Sequence, residues 1–468
     1  MTDFYGATPK ETVQRKDTKN IIFLECAFVL ILNPHSSSQS LSTLESKLEA
    51  LQCHFNWNLD CSRSTLFRLK YNLEDIGTEE GKSWLGHIYN LQGFIHYQLG
   101  FSEDALRFFS RATEAFRQMR NTVSDEGPWL VVNYGNLAWL HNQQGEQTQS
   151  QNYLSKINAL MNEYPSPSQD ELHPEIYAEK AWTLMKFNKE KKLLAIDYFQ
   201  RAIRMQPDMV AWQTSYVLAL VNAHNNSDHA ILEKMRIAKE HDPENLYLAA
   251  LYLDACPQKG TKMKDEVCTL ARRVLKKPVS SYSGINPILM LYSKYLSVHE
   301  AIDLIEEALE RHPDERYLKW CAANCYRSRI FFRQTRTGLL ERSMIDKAIS
   351  LCKEVISLYP HSSLNMKITL ADIYVKVNNH DKADQIYNEL LESDLEYKEQ
   401  QMLYNKYAKH LYFNGKLIDR QKSIEYHKKA AAIPHQSLYR KSSIIMLEKY
   451  TEKSGSREIE EFLMKLQQ

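Results

Sequence analysis

Residues 173 to 207 read HPEIYAEKAWTLMKFNKEKKLLAIDYFQRAIRMQP, and this stretch decides the fold. Its apolar residues recur at helical spacing in two runs that a short polar segment separates, which predicts two antiparallel helices. The second run carries Ala195, Phe199 and Ala202 and is followed by Pro207. A helix pair of this kind buries its apolar face only against similar neighbours, so we expect the pair to recur along the chain.

The pattern of a small, a large and a small apolar residue, as in Ala195, Phe199 and Ala202, recurs at intervals near those of a tetratricopeptide repeat. Gly93 stands where the first helix of a pair needs a small residue, and Gly100 and Gly145 mark helix ends. Further units are predicted around Ala238, Ala301, Ala348, Ala383 and Ala408. No alternation typical of strands is long enough to build a sheet. The sequence therefore predicts an all-α tetratricopeptide-repeat superhelix, an α-solenoid of about eight helix pairs.

The composition is typical of a helical protein with a small net charge. Of 468 residues, 43% are hydrophobic and 25% charged, and glycine and proline number 14 each, few for this length. The net charge is +1, so a nucleic-acid site needs its positive charge concentrated in one place. The eight cysteines form no CxxC pair, and Cys321 and Cys325 are interpreted as core residues on one helix face.

Four segments are expected. Residues 1–43 form an N-terminal extension of uncertain order, 44–254 and 255–434 two repeat subdomains, and 435–468 the last helices. The extension holds the apolar run 21–32, which is shorter than the roughly 20 residues that cross a bilayer and makes a poor signal peptide. We expect a cytoplasmic protein, with secretion as the minority interpretation.

Motifs of catalysis are missing from the sequence. It contains no GxSxG, no HExxH, no glycine-rich phosphate loop and no kinase signature. The histidines are dispersed, and a lone histidine among helices is more often structural than a general base. We expect neither an enzyme nor a bound cofactor or metal.

Trp182 and Lys186 are the first candidate site. They are four residues apart on the first helix of the deciding stretch, which places a ring and a cation on one face. Such a pair can stack a base and hold a phosphate. A tryptophan at this place in a repeat can equally pack inside the helix pair, and the residue spacing leaves both interpretations open.

An arginine-rich stretch is the second candidate. Residues 327–342, RSRIFFRQTRTGLLER, carry five arginines and one glutamate. Arginine binds phosphate through two parallel hydrogen bonds and stacks on bases, so we expect Arg327, Arg329, Arg333 and Arg336 to contact RNA. The alternative is a helix whose charges face solvent.

Three segments resemble a known family. CHFNWNL (53–59), YGNLAW (134–139) and PEIYAEKAWTLMK (174–186) are similar, in order and spacing, to segments of the interferon-induced proteins with tetratricopeptide repeats. The resemblance implies a cytosolic antiviral effector that holds the 5′ end of viral RNA, with a triphosphate or an incompletely methylated cap, in a basic groove and blocks its translation. It also implies that Trp182 stacks the cap and that Lys186 contacts phosphate.

Other positions depart from the family pattern. Asn222, and with less certain alignment Asn286, fall where the family has arginines, while Trp320 and Cys321 replace a His-Gln pair. A triphosphate needs cations in place of its water and counterions, so these changes weaken the expected site.

Two functional hypotheses follow from the sequence. One is an RNA-binding protein; the other is a non-catalytic scaffold that acts through proteins of the same family or through antiviral signalling components. Related family members or a second copy of the chain are expected as protein partners. Neither a membrane nor DNA is expected as a partner.

Overall fold

The computed structural model describes residues 44–76, 82–120, 126–168, 170–224, 228–256, 260–331, 342–413 and 419–467. Two compact units divide the chain, residues 1–51 and 52–468. Of the first unit the described part is residues 44–51, with a short helix α1 at 44–49. The extension at 1–43, with its apolar run, lies outside the described residues. The subdomain boundaries at residues 254 and 434 stay predictions.

The second unit is helical, and its described residues contain no strand. Its first half contains α2 (Arg63–Glu74), α3 (Leu85–Gln98), α4 (Ser102–Arg120), α5 (Val131–Gln143), α6 (Gln147–Glu163), α7 (Pro174–Leu184), α8 (Lys189–Met205), α9 (Val210–Ala223), α10 (His229–His241) and α11 (Leu246–Ala255). Its second half contains α12 (Thr261–Val274), α13 (Ile285–Tyr295), α14 (Val298–Arg311), α15 (Arg316–Phe331), α16 (Arg342–Leu358), α17 (Leu364–Lys376), α18 (His380–Leu391), α19 (Tyr397–Phe413), α20 (Arg420–Ala432), α21 (Leu438–Ser454) and α22 (Arg457–Gln467). From α3 to α6 and again from α7 to α22 each helix packs on the next, as in the predicted tetratricopeptide-type α-solenoid.

The deciding stretch forms the predicted helix pair, α7 and α8. Ala195, Phe199 and Ala202 of α8 are all fully buried. Asn188 ends the connecting segment, and its side chain accepts a hydrogen bond of 3.0 Å from the backbone N–H of Lys191. An asparagine cap of this kind satisfies one of the free N–H groups at a helix start, which explains why α8 begins here.

Close helix approach explains the small residue at position 93. A Cβ atom added to Gly93 of α3 would lie 2.6 Å from the ring of Phe109 on α4. Only glycine lets the two helices come this near. Gly100 and Gly145 follow α3 and α5 with φ of +88° and +80°, the left-handed conformation that ends helices.

A chain of buried polar side chains connects the first helix pairs. Asn90 donates from Nδ2 to Oε1 of Glu179 at 2.8 Å, and Asn133 donates from Nδ2 to Oδ1 of Asn90 at 2.7 Å. Burial raises the pKa of Glu179 to about 8. Its carboxyl group therefore keeps a proton at neutral pH, because an ionised carboxylate is costly away from water.

Helix α2 contacts repeats far along the chain. Arg316 donates from Nε to Oδ1 of Asp75 at 2.7 Å, and the Tyr359 hydroxyl donates to Oδ2 of the same carboxylate at 2.9 Å. At the other end of α2 the ring of Phe67 stacks on His361 at 4.2 Å. These contacts fix α2 against α15 and the segment before α17.

Candidate nucleic-acid interface

Two neighbouring cavities lie in the second unit. The smaller cavity has a volume of about 290 Å³, and its wall includes residues of α7, α9 and α11. The larger cavity has a volume of about 560 Å³, and its wall includes residues of α2, α13, α15 and α17. Lys186, Tyr247 and Tyr282 line both. These three side chains therefore stand where the two cavities adjoin.

Trp182 lines the smaller cavity but exposes only 1% of its surface. Its ring stacks on Trp84 with centroids 5.7 Å apart and planes at 18°. The ammonium of Lys186 lies 4.4 Å from the centroid of the Trp182 ring. The sequence left open whether Trp182 packs in the core or faces a groove. In the structure its side chain does both, because it is buried in the core and borders the smaller cavity. A base can stack on this ring only after a neighbouring side chain has moved.

Lys186 follows the end of α7 at Leu184 and is half-buried. Its Nζ donates a hydrogen bond to the hydroxyl of Tyr282 in the loop before α13. Burial lowers the pKa of Lys186 to about 7, because the ammonium has lost most of its water and gained no carboxylate. An anion in either cavity would supply the missing negative charge.

Two further cations stand beside Lys186, and sequence reasoning missed both. Arg68 of α2 is exposed and lines the larger cavity, while Lys192 of α8 is half-buried. Burial lowers the pKa of Lys192, and the positive charges of Arg68 and Lys186 lower it further. Burial lowers the pKa of Arg68, and the negative charge of Asp60 opposes this effect. The Asp60 carboxylate is itself paired with Lys398 at 2.8 Å.

Arg68, Lys186 and Lys192 therefore form a cluster, named here the cation cluster. None of the three has an ion pair within the described parts of the chain. Like charges held together without counter-charges repel each other, and a bound anion relieves the repulsion. The signal available in the sequence was weak. Arg68 interrupts the apolar pattern of a short helix, and Lys192 belongs to the segment NKEKK.

Elsewhere the described cavity walls carry no excess of positive charge, unlike the basic groove that the family resemblance implies. In the smaller cavity the Glu244 carboxylate pairs with Lys277 at 2.8 Å, and Asp242 adds a second carboxylate. In the larger cavity the Asp75 carboxylate pairs with Arg316 at 2.7 Å. Paired groups of this kind contribute little net potential, so the positive potential is concentrated at the cation cluster.

The arginine-rich stretch lies apart from both cavities as far as it is described. Arg327 and Arg329 belong to the last turns of α15 and are half-buried, and neither lines the smaller or the larger cavity. Burial raises the pKa of Asp372 on α17, and the charge of Arg327 opposes this effect. Arg333 and Arg336 lie outside the described residues. The structure therefore does not bring Arg327 or Arg329 to Trp182 and Lys186.

The positions that depart from the family pattern fall in different places. Asn222 is exposed on α9 and lines neither cavity. Asn286 and Trp320 both line the larger cavity. Cys321 is buried with 1% of its surface exposed, and Cys325 is buried as well, so the prediction that both are core residues is confirmed.

In the described part of the chain, the His, Cys, Asp and Glu side chains form no group of three that could hold a metal ion. Among the same residues, helices long and apolar enough to cross a membrane do not occur.

Comparison with known proteins gives a family model and full-length relatives. The model for the tetratricopeptide repeat matches residues 339–407. The mouse (Mus musculus) interferon-induced protein with tetratricopeptide repeats 2 is 25% identical over 455 residues, which cover 92% of this chain and 93% of the mouse protein. The human (Homo sapiens) antiviral innate immune response effector IFIT1 is 23% identical over 368 residues, covering 74% and 75%.

Solved structures show the same fold. A human IFIT1 dimer with m7Gppp-AAAA superposes with a TM-score of 0.63 at 22% identity, covering 91% of this chain and 96% of that one. A human IFIT1 dimer with PPP-AAAA gives 0.62 at 20% identity, covering 90% and 94%. The similarity confirms the α-solenoid, and the RNA in these structures is a property of those proteins.

Proposed function

Because the chain is a homologue of the interferon-induced proteins with tetratricopeptide repeats, we propose that it is an antiviral protein that binds the 5′ end of an RNA strand. The terminal phosphates occupy the place where the two cavities adjoin, and the strand enters the larger cavity. The protein acts in the cytoplasm, without a catalytic step, and blocks translation of the viral RNA that it holds. A bound 5′ end is inaccessible to the translation machinery.

The observation that carries this proposal is the cation cluster. A 5′ triphosphate brings several negative charges on adjacent oxygens, and three neighbouring cations without carboxylate partners match that pattern. Arg68 offers planar paired donors, while Lys186 and Lys192 supply point charges. The half-buried surroundings of Lys186 and Lys192 strengthen their attraction for phosphate relative to open water. The same cluster also discriminates against a 5′ hydroxyl, which carries no charge.

A triphosphate fits this site better than a cap does. Trp182 is covered by Trp84 and approached by Lys186, so the ring that the family resemblance assigns to cap stacking offers almost no free surface. Phosphate oxygens need only reach Lys186, which lines both cavities. Capped RNA is therefore the weaker ligand, because it requires the Trp182 side chain or its neighbours to rearrange.

Filter binding of a 5′-triphosphate RNA and the same RNA with a 5′ hydroxyl tests the proposal. We expect tighter retention of the triphosphate and a salt dependence whose slope falls by about 2 when all three cluster cations become glutamine. A matched control changes Lys234, Arg236 and Lys239 of α10 to glutamine, which removes the same charge outside both cavities. Equal, weak retention of both RNAs by the wild type would refute 5′-end recognition.

A scaffold without 5′-end chemistry is the second candidate, and two observations favour it. The described cavity walls outside the cation cluster carry no excess of positive charge, because Glu244 and Asp75 are paired and Asp242 is a further carboxylate. Large apolar side chains are exposed on α21, where Leu438 shows 81% and Ile445 49% of its surface. Exposed apolar groups close together often mark a contact with another protein. Loss of RNA binding together with a stable complex with a related protein would select this candidate.

A further inference from the structure

Lys186 is an amine without a carboxylate partner that packs against two aromatic rings. Its Nζ atom lies 4.4 Å from the ring centroid of Trp182 and 4.9 Å from that of Tyr282, whose hydroxyl accepts a hydrogen bond from it. No carboxylate in the described part of the chain forms an ion pair with it. The two rings replace only part of the hydration that an ammonium loses on burial, so these surroundings favour the neutral amine.

The neutral form of Lys186 is a nucleophile, whereas the ammonium form is not. Burial lowers the pKa of Lys186 to about 7, so about half of the side chain is neutral at pH 7. An ordinary lysine side chain, with a pKa of about 10.4, is almost wholly protonated at that pH. Lys186 lines both cavities. It therefore combines a reactive nitrogen with a position from which a small molecule in either cavity can be reached.

The neighbouring cations determine which kind of electrophile is held near this nitrogen. Arg68 lines the larger cavity, and Lys192 is close enough to Arg68 and Lys186 for their charges to lower its pKa. A phosphate group bound by Arg68 and Lys192 would hold an attached carbonyl group beside Lys186. The cavity volume of about 560 Å³ is sufficient for a small molecule of this kind. The arrangement favours an acyl phosphate, in which one oxygen joins the carbonyl carbon to the phosphate.

We propose that Lys186 is an acylation site for small acyl phosphates, and that acylation inactivates the cation cluster. The neutral nitrogen attacks the carbonyl carbon and forms the C–N bond, while the C–O bond to the phosphate breaks. The phosphate leaves with the electron pair and takes the proton that the nitrogen loses, so the step needs no further reactant. An uncharged amide then replaces a cation. Binding of the phosphate group rests on the proposed function, but the reactivity of the nitrogen does not.

Acetyl phosphate tests the site on the full-length protein. Peptide mass spectrometry follows the rate at which each lysine is acetylated between pH 6 and pH 9, with the exposed Lys234 and Lys376 as internal references. At pH 7.5 we expect Lys186 to react about tenfold faster than either reference. Its rate should level off above about pH 8, where most of the amine is already neutral, while the reference rates keep rising. Inorganic tripolyphosphate should slow the reaction of Lys186 alone.

Acetic anhydride separates the reactivity of the nitrogen from the binding of phosphate, because it carries no phosphate group. Changing Arg68 and Lys192 to glutamine should slow the reaction of Lys186 with acetyl phosphate severalfold and leave its reaction with acetic anhydride unchanged. A matched control changes Arg236 and Lys239 of α10 to glutamine, which removes the same charge outside both cavities and should alter neither rate. Circular dichroism confirms that each variant is folded.

The outcomes distinguish this inference from the proposed function. Reaction of Lys186 with both reagents no faster than that of the references would overturn the acylation site, whatever the affinity for RNA. Fast reaction with acetic anhydride alone would overturn the assignment of acyl phosphates. Fast acetylation of Lys186 by acetyl phosphate, in a protein that binds triphosphate and hydroxyl RNA equally, would overturn the proposed function alone. Fast acetylation that abolishes a preference for 5′-triphosphate RNA supports both.

Discussion

Lys186 makes the affinity for RNA depend on pH near neutrality. Burial lowers its pKa to about 7 from the ordinary 10.5, and its Nζ is bonded to the neutral hydroxyl of Tyr282. Phosphate binds the protonated form. In the free protein the protonated fraction falls from about nine-tenths at pH 6 to about one-tenth at pH 8. The apparent dissociation constant is divided by this fraction, so affinity should fall about tenfold over the two pH units.

Lys186→Arg is the matched control, because arginine stays charged throughout this range. Both proteins are titrated with the same 5′-triphosphate RNA at pH 6, 7 and 8 by fluorescence anisotropy. The ratio of their affinities cancels the titration of the RNA phosphates and of every other protein group. We expect the wild type to lose about tenfold relative to the arginine variant. A constant ratio across the three pH values would refute the view that a titrating Lys186 holds the phosphates.

Three predictions concern stability, and urea unfolding monitored by circular dichroism measures each. Trp182→Ala should lower the free energy of unfolding by about 3–5 kcal/mol, because the buried ring that stacks on Trp84 leaves a cavity; a loss near zero would mean that the ring is not part of the core. Glu179→Gln should remove a pH dependence of the wild type. The folded-state pKa of Glu179 is raised to about 8, so the stabilisation is complete below an unfolded pKa of 4.5 and is lost as the pH rises to about 8. Between pH 5 and pH 8 the wild type should lose on the order of 2–4 kcal/mol relative to the glutamine variant, and parallel pH profiles would contradict this. Gly93→Ala should cost about 1–3 kcal/mol, because its methyl group would meet the ring of Phe109 at 2.6 Å; an unchanged stability would show that α3 and α4 can separate freely.

The repeat fold was predictable because its signals are local. Ala195, Phe199 and Ala202 recur at helical spacing, and Gly93 marks the close approach of two neighbouring helices. Each of these signals concerns residues of the same helix pair, so the sequence displays it directly. The family resemblance, carried by three short segments, is confirmed by relatives that cover most of the chain.

The candidate site was less predictable because long-range contacts create it. Arg68 comes near Lys186 only because α2 packs against distant repeats, through contacts such as that between Asp75 and Arg316. No periodicity in the sequence reports a contact between residues so far apart. The charge balance of the cavity walls was not predictable for the same reason. Lys277 pairs with Glu244, and two helices separate these residues in the sequence.

The ambiguity of Trp182 had a different origin. Residue spacing predicts the helix face on which a side chain lies but not how far its neighbours bury it. The ring of Trp182 both packs on Trp84 and borders the smaller cavity. Its neighbour Lys186 was assigned by type and spacing, and those features were enough to place it beside the ring. The roles of Trp182, Lys186, Arg327 and Arg329 in RNA binding stay predictions.

The most direct measurement is a crystal structure of the protein with a short 5′-triphosphate RNA. We predict that the terminal phosphate oxygens lie within hydrogen-bonding distance of the Arg68 guanidinium and the Lys186 ammonium, with the RNA strand in the larger cavity. RNA bound outside both cavities, with Lys186 still bonded to Tyr282, would contradict the central claim.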